Sequence, residues 1–358
     1  RDPSLNSSIA LEPFMGWHGG VSNDSHGRPL RSLRISVTDR CNLRCGYCMP
    51  EEEYVWLPKA DLLGFEEITR LARVFASLGV SRLRLTGGEP LLRRGLPELI
   101  SQLSQVEGIS DLALTTNAVL LADAAEGLKE AGLSRLTVSL DSLDPETYER
   151  LAGRARLDQA LAGIEAARAA GLPIKLNTVV LRGENDHEVP ALLDYARSVG
   201  AELRLIEYMD VGGATRWKMN AVVSRVEILE AIAATHGRVE AEPGRGSAPA
   251  ERYRLADGTR FGLIASTTAP FCSACDRARI TADGRLFLCL YAREGHDLRA
   301  PLRAGQDELA LRELIGAIWE ARADRGAEER LALGRRRPLA RAGELREDPH
   351  LEMHTRGG

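Results

Sequence analysis

Arg82-Leu-Arg-Leu-Thr-Gly-Gly-Glu-Pro90 is a short β-rich run that breaks on two glycines and a proline ahead of an amphipathic stretch at residues 97–106. That strand–turn–helix unit recurs along the chain. Strand-like runs lie at Leu33–Thr38, Arg82–Thr86, Leu112–Thr116, Arg135–Leu140, Ile174–Val180 and Glu202–Tyr208. Helical periodicity fills residues 65–79, 97–106, 122–131, 157–170, 188–199 and 225–236. Gly79, Gly132, Gly171, Gly200 and Gly237 stand where helix C-caps belong. Such repeats imply parallel strands joined by right-handed crossovers. Six units fall short of the eight of a closed TIM barrel, so the expected fold is α/β, a partial (β/α)6 TIM-like barrel. Chemistry in such folds sits at the C-terminal strand ends, where Cys41, Gly87, Asn117, Asp141 and Met209 fall.

After Gly237 the pattern changes. A Gly/Pro/Ala-rich loop (243–250) leads to β-like pieces around Tyr253 and Phe261–Ser266, a hairpin through Ala282-Asp283-Gly284, a helix near 307–322 and an Arg-rich tail. The expected division is an N-terminal extension (1–26), the barrel (27–237) and a C-terminal α+β domain (238–358). A chain of 358 residues suits such a division better than one small core. Its net charge of −4 gives no general case for nucleic-acid or membrane binding. No apolar run approaches the roughly 20 residues that span a bilayer. The first thirty residues lack the apolar core of a secretion signal, so a cytoplasmic location is expected. Lys59, Lys129, Lys175 and Lys218 are the only lysines among 47 basic residues, so an isolated arginine carries little information here.

The 6 cysteines fall in two groups of three, which in so long a chain suits metal binding better than a disulfide framework. Cys41-Asn-Leu-Arg-Cys45-Gly-Tyr-Cys48 follows the first strand. Three thiolates on one tight loop leave one iron of a 4Fe–4S cubane without a protein ligand. Such a corner can chelate the amino and carboxylate groups of S-adenosylmethionine (SAM). The competing reading is a zinc loop completed by a distant His or Cys, although C-x3-C-x2-C is an uncommon zinc spacing. Cys272-Ser-Ala-Cys275 followed by Cys289 poses the same choice, with His296 as the nearest downstream zinc ligand.

The first cysteine loop resembles that of the radical SAM superfamily. Gly87-Gly88-Glu89-Pro90 is similar to its glycine-rich turn against the SAM amino group. The motif Cys275-Asp-Arg277-Ala-Arg279, with Cys289 and the terminal Gly357-Gly358, narrows the resemblance to the GTP 3′,8-cyclase family of molybdenum cofactor biosynthesis. So do Arg34-Ile-Ser-Val-Thr-Asp-Arg-Cys41, Thr115-Thr-Asn117, Val138-Ser-Leu-Asp141, Lys175-Leu-Asn177 and Arg204-Leu-Ile-Glu-Tyr-Met209.

The resemblance implies two 4Fe–4S clusters, one on Cys41, Cys45 and Cys48 and one, in the C-terminal domain, on Cys272, Cys275 and Cys289. By position it implies SAM contacts at Tyr47, Gly88, Ser139 and Met209. It implies GTP contacts at Arg34, Arg84, Thr115, Lys175, Arg277, Ala278 and Arg279, with Gly357 and Gly358 entering the active site as a tail. A 5′-deoxyadenosyl radical would take hydrogen from ribose C3′, and the carbon radical would attack guanine C8, giving (8S)-3′,8-cyclo-7,8-dihydroguanosine 5′-triphosphate. It further implies a flavodoxin- or ferredoxin-type electron donor and delivery of product to cyclic pyranopterin monophosphate synthase. The oligomeric state stays open, with a homodimer as one candidate.

Bland readings stand beside these roles. Ser139 and Thr115 could cap helices, Met209 could fill core, and Arg277/Arg279 could face solvent on a hairpin. Lys175 is different, because it interrupts an otherwise apolar strand. No Gly is followed by Lys, so a nucleotide would be held by scattered Arg and Lys rather than a P-loop. Two positions depart from the family: Ala118, where Gly is usual, and Asp210, where Pro is common. Ala118 would be strained if its φ were positive. Two other identities remain, a radical SAM enzyme acting on peptides and a zinc-stabilised binding protein. The cysteine grouping separates the roles of the two loops: Cys41→Ser abolishes SAM cleavage, whereas Cys272→Ser mainly impairs GTP turnover, as 5′-deoxyadenosine and nucleotide assays on one preparation check.

Overall fold

The computed structural model describes residues 21–357. Its strands are β1 (Ser32–Ser36), β2 (Arg82–Thr86), β3 (Asp111–Thr116), β4 (Arg135–Ser139), β5 (Ile174–Val180), β6 (Glu202–Glu207), β7 (Val239–Ala241), β8 (Glu251–Leu255), β9 (Arg260–Ile264), β10 (Arg277–Ile280), β11 (Arg285–Phe287) and β12 (His296–Asp297). All lie in one 12-stranded sheet of order β12-β11-β10-β1-β2-β3-β4-β5-β6-β9-β8-β7. From β10 to β9 every pairing is parallel, and antiparallel hairpins finish both edges. The chain after Gly237 therefore extends the first six strands at both edges of the sheet. Residues 1–20 of the expected N-terminal extension lie outside the described residues.

The first six strands match the expected runs to within two residues. Their apolar positions explain why. Leu33 and Ile35 on β1, and Leu83 and Leu85 on β2, are buried against helices Phe65–Ser77 and Leu96–Ser104. Each such side chain contributes about 1.5–3 kcal/mol by leaving water. Within the six-unit region one helix escaped the periodicity, Pro145–Ala152, and after Gly237 so did the short helices Arg299–Arg303, Gly326–Leu331 and Ala342–Glu347. Helix Pro145–Ala152 is short, and its start is set by Asp144, whose carboxylate accepts from Thr147 N–H, and by Pro145 in the first turn.

Strand register decides what faces the other side. Arg34 pairs with Arg84 on β2 and with Arg279 on β10, so three arginines stand abreast on one face. Among the described residues no helix is long and apolar enough to cross a membrane.

The C-terminal segment returns to the C-terminal ends of the strands. Met353 N–H donates to the Gly212 carbonyl at 3.0 Å, and a Cβ on Gly212 would collide with the Leu351 carbonyl. Arg356 is buried, donating to the carbonyls of Leu290 (3.0 Å) and Ala292 (2.5 Å), with its guanidinium 4.0 Å from the Phe287 ring centre. Gly212→Ala therefore releases the tail while leaving the sheet folded. Trypsin cleavage at Arg356, with an unchanged circular dichroism spectrum, is the expected result; continued protection of Arg356 would contradict this docking.

Candidate active site

The first cysteine loop is built by backbone nesting. Val37 N–H donates to Thr86 O (3.0 Å), Gly88 N–H to Thr38 O (3.0 Å) and Glu89 N–H to Arg40 O (2.7 Å). A Cβ on Gly87 would strike the Thr38 carbonyl, and one on Gly88 the Arg40 carbonyl. The two glycines thus let the turn after β2 lie directly against the segment that leads into Cys41. Glu89 locks this contact from below. Fully buried, it accepts from Leu91 N–H (3.1 Å), the Thr116 hydroxyl (2.7 Å) and Asn117 N–H (2.8 Å). Burial raises its pKa to about 7 against the pull of those hydrogen bonds. Asn117 Nδ2 donates to Asn42 Oδ1 at 2.7 Å and lies 3.9 Å from Cys41 Sγ. The next residue, Ala118, has φ 63°, the only positive φ outside glycine among the described residues. That conformation costs a non-glycine residue about 1–2 kcal/mol. The departure noted in the sequence is thus a strained one.

Tyr47 is held by Asp141, which accepts its hydroxyl proton at 2.6 Å and also Val179 N–H at 2.8 Å. Burial pushes the Asp141 carboxyl up to about 6, although the Tyr47 and Val179 hydrogen bonds oppose this. The far side of the loop is pinned to helix Pro145–Ala152, with Arg44 N–H on Ala152 O (2.8 Å) and Gly46 N–H on Leu151 O (3.0 Å).

Cys272 opens a single 3-10 turn, Cys275 precedes β10 by one residue, and Cys289 follows β11. A Cβ on Gly326 would come within 3.0 Å of Cys289 Sγ, so this glycine lets helix Gly326–Leu331 close over the triad. Burial raises the thiols of Cys272 and Cys289. Cys275, buried too, is instead drawn down to about 6 by Arg277 and Arg322.

All six cysteines line one cavity of about 560 Å³, and none forms a disulfide. Among the described residues no three His, Cys, Asp or Glu side chains converge as a single metal ion requires. Soft thiol donors spread around a void fit a thiolate-held cluster with a vacant corner better than tetrahedral zinc. Tyr47, Gly88, Ser139 and Met209 line the cavity, as do Arg34, Arg84, Thr115, Lys175, Arg277 and Arg279. Ala278 instead lies in the hydrophobic core, as alternation along β10 requires.

The wall between the triads is positive. Arg84 donates to the hydroxyls of Thr115 (3.0 Å) and Thr137 (2.7 Å), and Arg204 to Thr137 (3.1 Å). Arg34 and Arg279 both donate to the Gly357 carbonyl, at 3.1 and 3.0 Å. These partners are neutral oxygens. Burial, then mutual repulsion, lowers Arg34 well below its usual value, Arg84 to about 9 and Arg279 to about 10. Lys175 differs, being paired with Glu202 at 2.9 Å. Gly357 sits where a Cβ would collide with Thr86; Gly358 lies outside the described residues.

The sequence places Asp141 at a strand end and Glu89 and Arg204 within the motifs, but it assigns none of the three a role in the site. Arg204 carried the same signal as Lys175, a charge inside an apolar strand. The partners of the two carboxylates, Tyr47 for Asp141 and β3 for Glu89, carried no signal, since only tertiary contacts bury them.

Comparison with known proteins follows the same lines. The Radical SAM superfamily profile matches residues 35–196, and the Molybdenum Cofactor Synthesis C profile matches residues 201–328. The chain is 52% identical to GTP 3′,8-cyclase 1 of Mycobacterium tuberculosis, covering 99% of each chain. It is 51% identical to GTP 3′,8-cyclase of Acidothermus cellulolyticus, covering 86% of this chain and 88% of the relative. Among solved structures it resembles Streptococcus suis SuiB bound to precursor peptide SuiA, with TM-score 0.60 and 17% identity over 86% of this chain and 68% of that one, a likeness of fold. Motifs, cavity and relatives agree, and the chain belongs to the GTP 3′,8-cyclase family of radical SAM enzymes.

Proposed function

We propose that the chain cyclises GTP, joining ribose C3′ to guanine C8, as the first step of molybdenum cofactor biosynthesis. One observation carries this reading. Two cysteine triads face a single cavity, and its wall bears four arginines, Arg204 and Arg279 buried and Arg34 and Arg84 half-buried, bonded only to neutral oxygens. Buried guanidinium groups without carboxylates suit a polyanionic substrate.

In this reading Cys41, Cys45 and Cys48 hold one 4Fe–4S cluster, and Cys272, Cys275 and Cys289 hold the other. With SAM at the first open iron, the cofactors supply the 5′-deoxyadenosyl radical that takes hydrogen from C3′. Tyr47, fixed by Asp141, bounds the SAM site with Gly88, Ser139 and Met209. Arg34, Arg84, Thr115, Lys175, Arg277 and Arg279 hold the triphosphate and ribose, and the second triad carries the group that takes the guanine base. The backbone around Ala278 and the Gly357-Gly358 tail complete the substrate site. The cavity walls keep water from the reacting carbon.

The finer architecture is part of the same proposal: a partial (β/α)6 barrel over residues 27–237 and an auxiliary-cluster domain over 238–358. The change from parallel repeats to antiparallel edge strands supports that boundary. The reading carries a flavodoxin- or ferredoxin-type donor, product transfer to cyclic pyranopterin monophosphate synthase, a cytoplasmic setting and a homodimer as candidate assembly.

Reconstituted, reduced protein with SAM releases 5′-deoxyadenosine in step with GTP consumption. Arg84→Met raises KM for GTP roughly 10- to 100-fold, from the ~1.5–3 kcal/mol of a hydrogen bond to a charged group. Release that ignores GTP, or that a peptide drives instead, would overturn the substrate assignment.

A further inference from the structure

Against Cys272 and Cys275 of the second triad lies a buried ion network that the reaction scheme leaves unused. Arg322 follows helix Glu308–Glu320 and is 3% exposed. Its Nη1 donates to the Cys275 carbonyl at 2.9 Å, and its Nη2 donates to Cys275 Sγ at 3.4 Å. The guanidinium lies 4.6 Å from the Trp319 ring centre. The Trp319 indole N–H is itself fixed on the Arg28 carbonyl at 3.2 Å.

Arg28 approaches from the N-terminal segment. Its Nη1 donates to the Cys272 carbonyl (3.0 Å) and to the Asp324 carbonyl (2.7 Å). Both guanidinium groups converge on one carboxylate, Asp24, with Arg28 Nε at 2.5 Å and Arg322 Nη1 at 3.4 Å. All three side chains are at most 2% exposed. Two cations on one anion leave a positive charge directly behind the cysteines. The carboxylate of Asp324, 3.7 Å from Arg322 Nε, is 31% exposed and screened by solvent.

We propose that Arg322 is a positioning residue of the second triad, whose hydrogen bond to the Cys275 sulfur raises the reduction potential of the cluster held there. The inference rests on reading Cys272, Cys275 and Cys289 as cluster ligands. An added electron makes a thiolate-bound cluster more negative, and an N–H donor with a buried positive charge stabilises that state. The geometry is specific. The backbone carbonyl holds one arm of the guanidinium so that the other arm points at sulfur, and Trp319 and Asp24 keep the plane from turning.

The test is a redox titration of the reconstituted holoenzyme followed by electron paramagnetic resonance, comparing wild type, Arg322→Met and Arg322→Lys. GTP addition marks the second cluster's signal, and SAM addition marks the first. The expected result is an unchanged iron content and a second-cluster midpoint shifted to more negative potential in Arg322→Met. A smaller shift is expected in Arg322→Lys, and none at the first cluster. An unmoved second midpoint with both clusters loaded would overturn the inference. Loss of the second cluster from both variants, or wild-type potential in Arg322→Lys when Arg322→Met fails to load, would make Arg322 a scaffold residue instead. Failure of the second triad to load iron in wild-type protein would sink the cluster reading itself, a distinguishable outcome.

Discussion

Parallel pairing of β10, β1 and β2 in one register is the constraint from which the site follows. It sets Arg279, Arg34 and Arg84 side by side on the cavity face while Ala278, Ile35 and Leu83 enter the core. A slip of one residue would exchange the two sets and bury the charges among leucines. The pairing holds because the opposite face of the same strands is apolar. Hydrophobic burial on one side thus fixes charge placement on the other. Burial first, and then repulsion from neighbouring guanidinium groups, holds the pKa values of Arg34, Arg84 and Arg279 down. Threonine hydroxyls and the Gly357 carbonyl satisfy some of the donors without neutralising them. The site is therefore charged in advance for an anion.

The tail belongs to this electrostatic arrangement rather than to the fold alone. Its carbonyl at Gly357 bridges Arg34 and Arg279, while Arg356 reaches the loop of Cys289 and His354 packs on Tyr54 and Trp56 beside the first triad. One short segment consequently touches the surroundings of both clusters. Asp210 serves the same end from the strand side. Buried, it accepts from the Tyr291 hydroxyl at 3.0 Å and pairs with Arg330 and Arg336 at 2.6 and 2.5 Å, and their hydrogen bonds and charge hold its carboxyl low in spite of burial. The aspartate that departs from the usual proline thus ties the end of β6 to the Cys289 loop and to the segment that carries the tail. Proline could accept none of those bonds with its side chain.

The glycine-rich turn shows how a motif can be found for one reason and used for another. Two adjacent glycines suggest backbone close to a ligand. In the fold their missing side chains admit the carbonyls of Thr38 and Arg40, and the motif's glutamate is a buried clamp on β3. The turn shapes the cysteine loop from behind as well as lining the cavity.

The six strand–helix units, the two cysteine triads and the odd lysine inside β5 were legible in the sequence, because periodicity and ligand spacing are local properties of a chain. The sequence could say that Ala118 is strained if its φ is positive, since φ preference belongs to a single residue, and the fold supplies the φ of 63°. The roles of Asp141 and Glu89 and the network of Arg322, Asp24 and Arg28 were not legible. Each depends on at least one partner 27 or more positions away, from Glu89 and Thr116 at 27 to Arg322 and Asp24 at 298, and on burial that only packing creates. Local pattern therefore carries the kinds of chemistry present, thiolate ligands and cationic side chains on a repeating α/β frame. Only the tertiary structure decided that both triads and the arginine row share one cavity, because the strands after Gly237 join the sheet beside β1 and β6, and no local pattern specifies which edge a strand will find.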